Sequence, residues 1–180
     1  MNRLDCTKWA MAGLHRTFRP QVGYNPAVHP GREKGGVMTS GMTRDQIGAL
    51  FMRRQGAYED LDAAALAADY APDAVIDSPS TGVHRAEAAE KNLRAVFDAF
   101  LDMTVSLEKL VIDGDNAATL LSIEGTHIGE FLGLEPTGKP FVMPAVFFYE
   151  LRDGRIVRER RCYGFTNWLV QIGALKARPS

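Results

Sequence analysis

Six side chains in this 180-residue sequence are candidates to move a proton or hold a negatively charged oxygen: Asp77, His84, Glu124, His127, Arg160 and Tyr163. A carboxylate or neutral imidazole within hydrogen-bond reach of a carbon acid takes its proton near pH 7, and an arginine stabilises the oxyanion that results. Each group also has a structural reading. His127 can hold loop backbone, and His84 can cap a helix or stand at a pocket rim. Glu124 reads as a buried acid with a raised pKa or as the partner of a nearby arginine. Arg160 reads equally as a solvated strand arginine, Tyr163 as packing at a subunit face, and Cys162 as a small buried apolar residue. The run Arg158, Arg160 and Arg161 reads as a solvated edge or an ion-pair network with Glu150 and Glu159. No His/Cys/Asp/Glu spacing resembles a metal site, and neither a G-x-G-x-x-G string nor a P-loop is present, so no metal or other cofactor is implied.

The elements that must position these groups follow from period and punctuation. Thr43-Arg44-Asp45-Gln46 is a capping box, and Ile47, Leu50, Phe51, Arg54 and Tyr58 then fall on one helical face. A second short helix runs from Leu61 to about Tyr70, ended by Pro72. Ala74–Asp77 reads as a short strand ended by Ser78-Pro79. An amphipathic helix starting near His84 follows, with Leu93, Val96, Phe97 and Phe100 on its apolar side. After Phe100 the period becomes two. Strands are expected at Thr104–Ile112, Ala117–His127, Pro140–Arg152 and Arg155–Gly164, with turns at Asp113–Asn116 and Asp153-Gly154. The Gly/Pro-rich joint from Ile128 to Lys139 is long enough to act as a lid or rim, and a last helical turn or two spans Thr166–Ile172. Helices followed by a four-strand antiparallel meander indicate an α+β fold, a cone-shaped curved antiparallel sheet wrapped on helices.

Asp153-Gly154 fits a two-residue type I′ turn, which sets Arg152 opposite Arg155 and Leu151 opposite Ile156. Counting outward without interruption places Tyr149 across from Arg158, Phe147 from Arg160, Ala145 from Cys162 and Met143 from Gly164, all on one face. The other face then carries Glu159, Arg161 and Tyr163. Both faces mix apolar and charged groups, so periodicity does not decide which points inward.

Composition narrows the function classes. Hydrophobic residues are 46% of the chain, charged residues 24%, and the formal net charge is −1, a balance unlike that of disordered chains or nucleic-acid binders. No apolar run reaches bilayer-spanning length and no secretory block opens the chain, so a cytoplasmic protein without membrane contact is expected. The two cysteines, Cys6 and Cys162, suggest no disulfide framework. Residues 1–41 carry six Lys/Arg against two Asp/Glu, while residues 42–180 carry fifteen against twenty. The first segment, with Pro20, Pro26, Pro30 and a Gly31–Gly36 stretch, is read as a basic, flexible tail. A basic interaction arm and an upstream start codon, with Met38 or Met42 as the true start, are the other readings. Residues 42–180 form the folded domain.

Glu124-Gly125-Thr126-His127-Ile128-Gly129-Glu130-Phe131-Leu132-Gly133, followed by Pro136-Thr137-Gly138, resembles the G-T-H-x-G-E-F-L-G-x-x-P-T-G string of SnoaL-like polyketide cyclases. Asp153-Gly154-Arg155-Ile156-Val157 and Trp168-Leu169-Val170-Gln171-Ile172-Gly173 are similar to the D-G-K-I-V and L-L-x-Q-L-G strings of the same family, and the likeness covers about residues 42–175. It implies the α+β barrel of the nuclear transport factor two-like superfamily, a homodimer formed through the outer sheet face, and an apolar pocket for a small hydrophobic molecule. The implied activity is cofactor-independent lyase or isomerase chemistry on a carbonyl compound, with His127 or Glu124 as proton carrier and Arg160 as oxyanion stabiliser. The implied substrate-binding set is Tyr58, Asp77, His84, Met143, Phe147, Cys162 and Trp168. The family's cyclases use an Asp near the end of the last strand, and here Gly164 stands there, so a non-catalytic ligand-binding relative is the alternative. The ketosteroid isomerase positions hold Met52, Phe147 and Ser78, and Leu120–Thr126 lacks the Arg-x-Asp pair of limonene-type epoxide hydrolases.

Overall fold

The computed structural model describes residues 41–176. The expected tail, Gly41 aside, lies outside the described residues. Helix α1 (Arg44–Glu59) starts at the expected capping box: Gln46 N–H donates to Thr43 Oγ1 at 3.2 Å and Thr43 N–H donates to Gln46 Oε1 at 2.8 Å. Its buried stripe contains one charged residue, Arg54, among Ile47, Leu50, Phe51 and Tyr58. Helix α2 (Ala63–Ala68) is capped by Asp62, whose carboxylate accepts the Ala65 N–H at 2.9 Å.

Strand β1 (Tyr70–Ser78) is longer than expected and contains Pro72, which sits inside the register irregularity between Tyr70 and Val75. A proline lacks the N–H a regular ladder needs, so it is tolerated at such an irregularity. Strand β2 (Gly82–Arg85) was not expected. Gly82, at φ +67°, turns the chain back so that β2 pairs antiparallel with β1. His84 is therefore on an edge strand and does not start the helix. After a 3₁₀ turn at Ala86–Ala88, helix α3 (Ala89–Ala99) buries Leu93 and Phe97.

The meander follows as β3 (Thr104–Asp113), β4 (Asn116–Thr126), β5 (Pro140–Arg152) and β6 (Arg155–Tyr163), closed by helix α4 (Phe165–Gln171). The strand order is β2-β1-β6-β5-β4-β3, antiparallel except for the parallel β1–β6 pair. Strand β5 alternates buried and exposed side chains, with Phe141, Met143, Phe147 and Tyr149 inward. The class is the expected α+β.

The β5–β6 register departs from the expected one. Asp153 and Gly154 both have positive φ, as a type I′ turn needs, and Leu151 faces Ile156. The next pair is Glu150 with Arg158, so Val157 is an extra residue on β6. This bulge moves every later pairing by one and exchanges the faces. Tyr149 now faces Glu159, Phe147 faces Arg161 and Ala145 faces Tyr163, while Arg160 and Cys162 turn outward. The straight count fails because Arg155–Tyr163 has no clean apolar alternation to betray the bulge.

Candidate functional site

Inward side chains of the sheet, α1, α3 and α4 surround a small, mainly apolar cavity of about 60 Å³. Helix α3 contributes Leu93, Val96 and Phe97, and β5 contributes Phe141, Met143 and Phe147. Trp168 of α4 lies among Phe100, Phe131 and Phe141, at ring-centroid distances of 5.4, 4.8 and 5.2 Å. These aromatic contacts bury Trp168 to 4% exposure and hold its ring by packing.

The polar part of the wall is Tyr58, Ser80, Arg161 and Tyr163. Tyr163 donates to Ser80 Oγ at 2.8 Å and lies 3.0 Å from Ser78 Oγ, so three hydroxyls form a closed cluster. Arg161 Nε donates to Glu159 Oε1 at 2.6 Å, its Nη2 lies 3.4 Å from Tyr70 Oη, and its guanidinium carbon lies 5.3 Å from the Phe147 ring centroid. Glu159 is fully buried. Its other oxygen accepts the Tyr70 hydroxyl and stands 3.9 Å from Arg54 Nη2. Burial alone would raise the Glu159 pKa, yet the charges of Arg161 and Arg54 with the two hydrogen bonds hold it below its ordinary value. Burial, then the neighbouring Glu159 charge, pushes the Tyr70 phenol well up, so it stays a neutral donor.

The expected site residues divide between the two faces. Tyr58, Met143, Phe147 and Trp168 line the cavity. Arg160 is 63% exposed on the outer face, where its Nε meets Asp77 Oδ2 at 3.1 Å, and Cys162 is exposed beside it. The face expected for Arg160 and Cys162 is thus corrected by the bulge. Tyr163, expected at a subunit face, lines the cavity for the same reason. Glu124 is also outside: it is exposed, faces Val142 and Thr104 across the ladders, and accepts from Thr104 Oγ1 at 3.1 Å. It is neither a buried acid nor an arginine's partner.

His84 stands opposite Ile76, a fully buried inner-face residue, and its Nδ1 lies 3.4 Å from both Thr81 Oγ1 and Gly82 O. Burial and the Arg161 charge hold its imidazole below its ordinary pKa of 6.5 against the opposing pull of the Gly82 carbonyl. His127 is fully buried. Its Nδ1 lies 3.2 Å from Thr137 Oγ1, and that hydroxyl donates to Ile172 O at 2.6 Å. Because the hydroxyl proton is committed to Ile172, Nδ1 carries the imidazole proton and Nε2, which has no partner among the described residues, is bare. With His127 N–H donating to Lys139 O and Gly138 N–H to His127 O, this histidine ties the Ile128–Lys139 loop to the end of α4.

The expected ion-pair network of the β6 arginines is present as Arg161 with Glu159 and Arg158 with Glu150; unanticipated were its inward placement and the part that Tyr70 and Arg54 take in it. The available signal was Arg54, a charged side chain at helical spacing inside an apolar stripe, since a buried charge needs a buried partner. Among the described residues no group of three or more His, Cys, Asp or Glu is placed to hold a metal ion, and no helix is long and apolar enough to cross a membrane. Gly164 precedes α4. A Cβ there would meet only Asn167 Cβ, at 3.6 Å.

A sequence profile of the SnoaL-like polyketide cyclase family matches residues 50–172. No curated protein sequence matches the chain. Among solved structures, IdmH of Streptomyces antibioticus, a candidate polyketide cyclase, is 31% identical with a TM-score of 0.60, covering 70% of this chain and 97% of its own. AclR of Streptomyces galilaeus, a candidate hydroxylase, is 25% identical with a TM-score of 0.67, covering 77% and 87%. A protein with a ketosteroid isomerase-like fold from Catenulispora acidiphila is 17% identical with a TM-score of 0.60, covering 69% and 92%, a likeness of fold alone.

Proposed function

The chain belongs to the SnoaL-like polyketide cyclase family, and from that premise we propose that it takes a small hydrophobic carbonyl compound into the cavity and performs cofactor-independent, cyclase-like or isomerase-like proton chemistry on it. The observation that carries this reading is the placement of a single guanidinium, Arg161, on an otherwise uncharged cavity wall. A carbonyl oxygen beside Arg161 acquires negative charge as its α-carbon loses a proton, and a fixed cation in a poorly hydrated site stabilises that charge. The imidazole of His84, on the same side of the sheet opposite Ile76 though not among the residues lining the cavity, is the proton acceptor in this reading, and the Tyr163 hydroxyl, held by Ser78 and Ser80, is the donor for return of a proton. In this reading the oxyanion role expected of Arg160 passes to Arg161, and His127 positions the loop.

A second reading, a ligand-binding relative without turnover, has support in the cavity's lining, which contains no carboxylate among the described residues, and in Gly164. Model anthraquinone esters and enone steroids separate the two. Turnover by the natural sequence that falls at least about tenfold in Arg161→Lys and His84→Asn supports the enzyme. A copurified hydrophobic ligand without turnover, with activity gained in Gly164→Asp, supports the second reading. Neither turnover nor any bound ligand defeats both.

We also propose that a second copy packs on the outer sheet face, where Leu120, Val142 and Phe148 are exposed at 37, 55 and 51%. The free, exposed Cys162 fits a reducing compartment, and the cytoplasm is where we place the reaction.

A further inference from the structure

We propose that the ligand is held in the cavity as an oxyanion, a carboxylate, phenolate or enolate on an apolar ring system, with Arg161 Nη1 as its partner. This rests on the cavity being the ligand site and goes further in fixing the ligand's charge. Five charged groups form an alternating series from the surface inward. Arg53 pairs with Asp69, Asp69 Oδ2 lies 3.3 Å from Arg54 Nη1, Arg54 Nη2 lies 3.9 Å from Glu159, and Glu159 lies 2.6 Å from Arg161 Nε. Three cations share two carboxylates, so the series carries one uncompensated positive charge, and its two ends are Arg53 and Arg161. Water screens the Arg53 end, whose side chain is 61% exposed, whereas Arg161 is 15% exposed against the cavity.

Nothing else on the cavity wall supplies the missing negative charge. Tyr58, Ser80, Tyr163 and Trp168 carry no formal charge, and Tyr70, whose hydroxyl donates a hydrogen bond to Glu159, remains a phenol. Arg161 commits Nε to Glu159 and Nη2 to Tyr70, and among the described residues Nη1 has no acceptor. The Glu159 salt bridge and the Phe147 ring restrict the guanidinium's rotation, so the free nitrogen is presented in a fixed place. A charge-assisted bond in such surroundings is stronger for an anion than for a neutral oxygen.

The test compares 2-naphthoate with 2-naphthamide, two probes of one shape and different charge, by calorimetry on the full chain, with Trp168 fluorescence in a Trp9→Phe background locating the site. Naphthoate should bind at least about tenfold tighter. Bound 2-naphthol should ionise at least about one pH unit below the free phenol, read from its phenolate absorption. Arg160→Gln, on the outer face, should leave the preference intact. The charge-balanced pair Glu159→Gln with Arg161→Gln should abolish it. Equal affinities in the natural sequence, an unshifted naphthol, or a preference lost in Arg160→Gln overturns the oxyanion assignment alone. Failure of both probes to bind overturns the cavity reading beneath it. If the paired variant does not fold, the probe ratio and the naphthol titration still decide.

Discussion

Glu159 and Arg161 are two residues apart on β6, so the strand's alternation puts both on the inner face, where they join at 2.6 Å with Glu159 wholly out of water. A buried carboxylate between two guanidinium groups is tolerable only while all three charges remain. Glu159→Gln should therefore cost about 3–5 kcal/mol, since it leaves Arg54 and Arg161 sharing too little negative charge; urea denaturation of the variant measures it.

The same carboxylate sets an acid limit. Its folded pKa lies below its ordinary 4.5, so the unfolded chain binds the proton more readily. The stability it contributes is complete above that ordinary value and is lost as pH falls through the depressed one. Denaturation midpoints below about pH 4.5 should decline less steeply in Glu159→Gln than in the natural sequence.

His84 titrates in a higher window. Its folded pKa is below 6.5, so protonation favours the unfolded chain, and its contribution to stability is full above 6.5 and declines as pH falls toward the folded value. NMR titration of its ring should show the depressed pKa, and Arg161→Gln should raise it. An unchanged value would mean that Arg161 exerts no influence there.

Gly129 N–H donates to Ala99 O at 3.0 Å, and a Cβ at Gly129 would overlap the Asp98 carbonyl oxygen and stand 3.0 Å from Ala99 Cα. Both obstacles are backbone and cannot swing aside. Gly129→Ala should destabilise by about 1–3 kcal/mol, visible as a lower melting temperature. Thr137→Val, which removes the hydroxyl between His127 and Ile172, should cost about 1–3 kcal/mol by stranding a buried N–H.

Phe148→Asp on the outer face should convert a dimer into a monomer without loss of helix or sheet signal, as read by light scattering and circular dichroism. A natural chain that is already monomeric at micromolar concentration would rule out the proposed second copy.

Elements with strong local chemistry were legible in the sequence. Thr43 and Gln46 announce the start of α1, and Asp153-Gly154 announces the last hairpin, because capping and positive-φ turns depend on neighbouring residues alone. Strand β2 was not legible, since four residues carry little periodicity and its pairing depends on β1. The cavity's charged end was misplaced by one residue for a related reason: Val157 bulges through its pairing with β5, and nothing within Arg155–Tyr163 marks it. Met143, Phe147 and Trp168 at the aromatic end were named from the family resemblance and not from periodicity, since Pro140–Tyr149 is an almost unbroken apolar run whose burial alternates only once the sheet is formed.

Val157 thus acts as a selector between two interiors written into one strand. Drawing it into the ladder opposite Glu150 would let β6 run straight along β5, turning Glu159, Arg161 and Tyr163 out to solvent and Arg160 and Cys162 inward, whereas deleting it would keep every present pair and face. A one-residue slip at this bulge would in this way trade a fixed cation and phenol for a thiol and an orphaned guanidinium with no change of sequence at all.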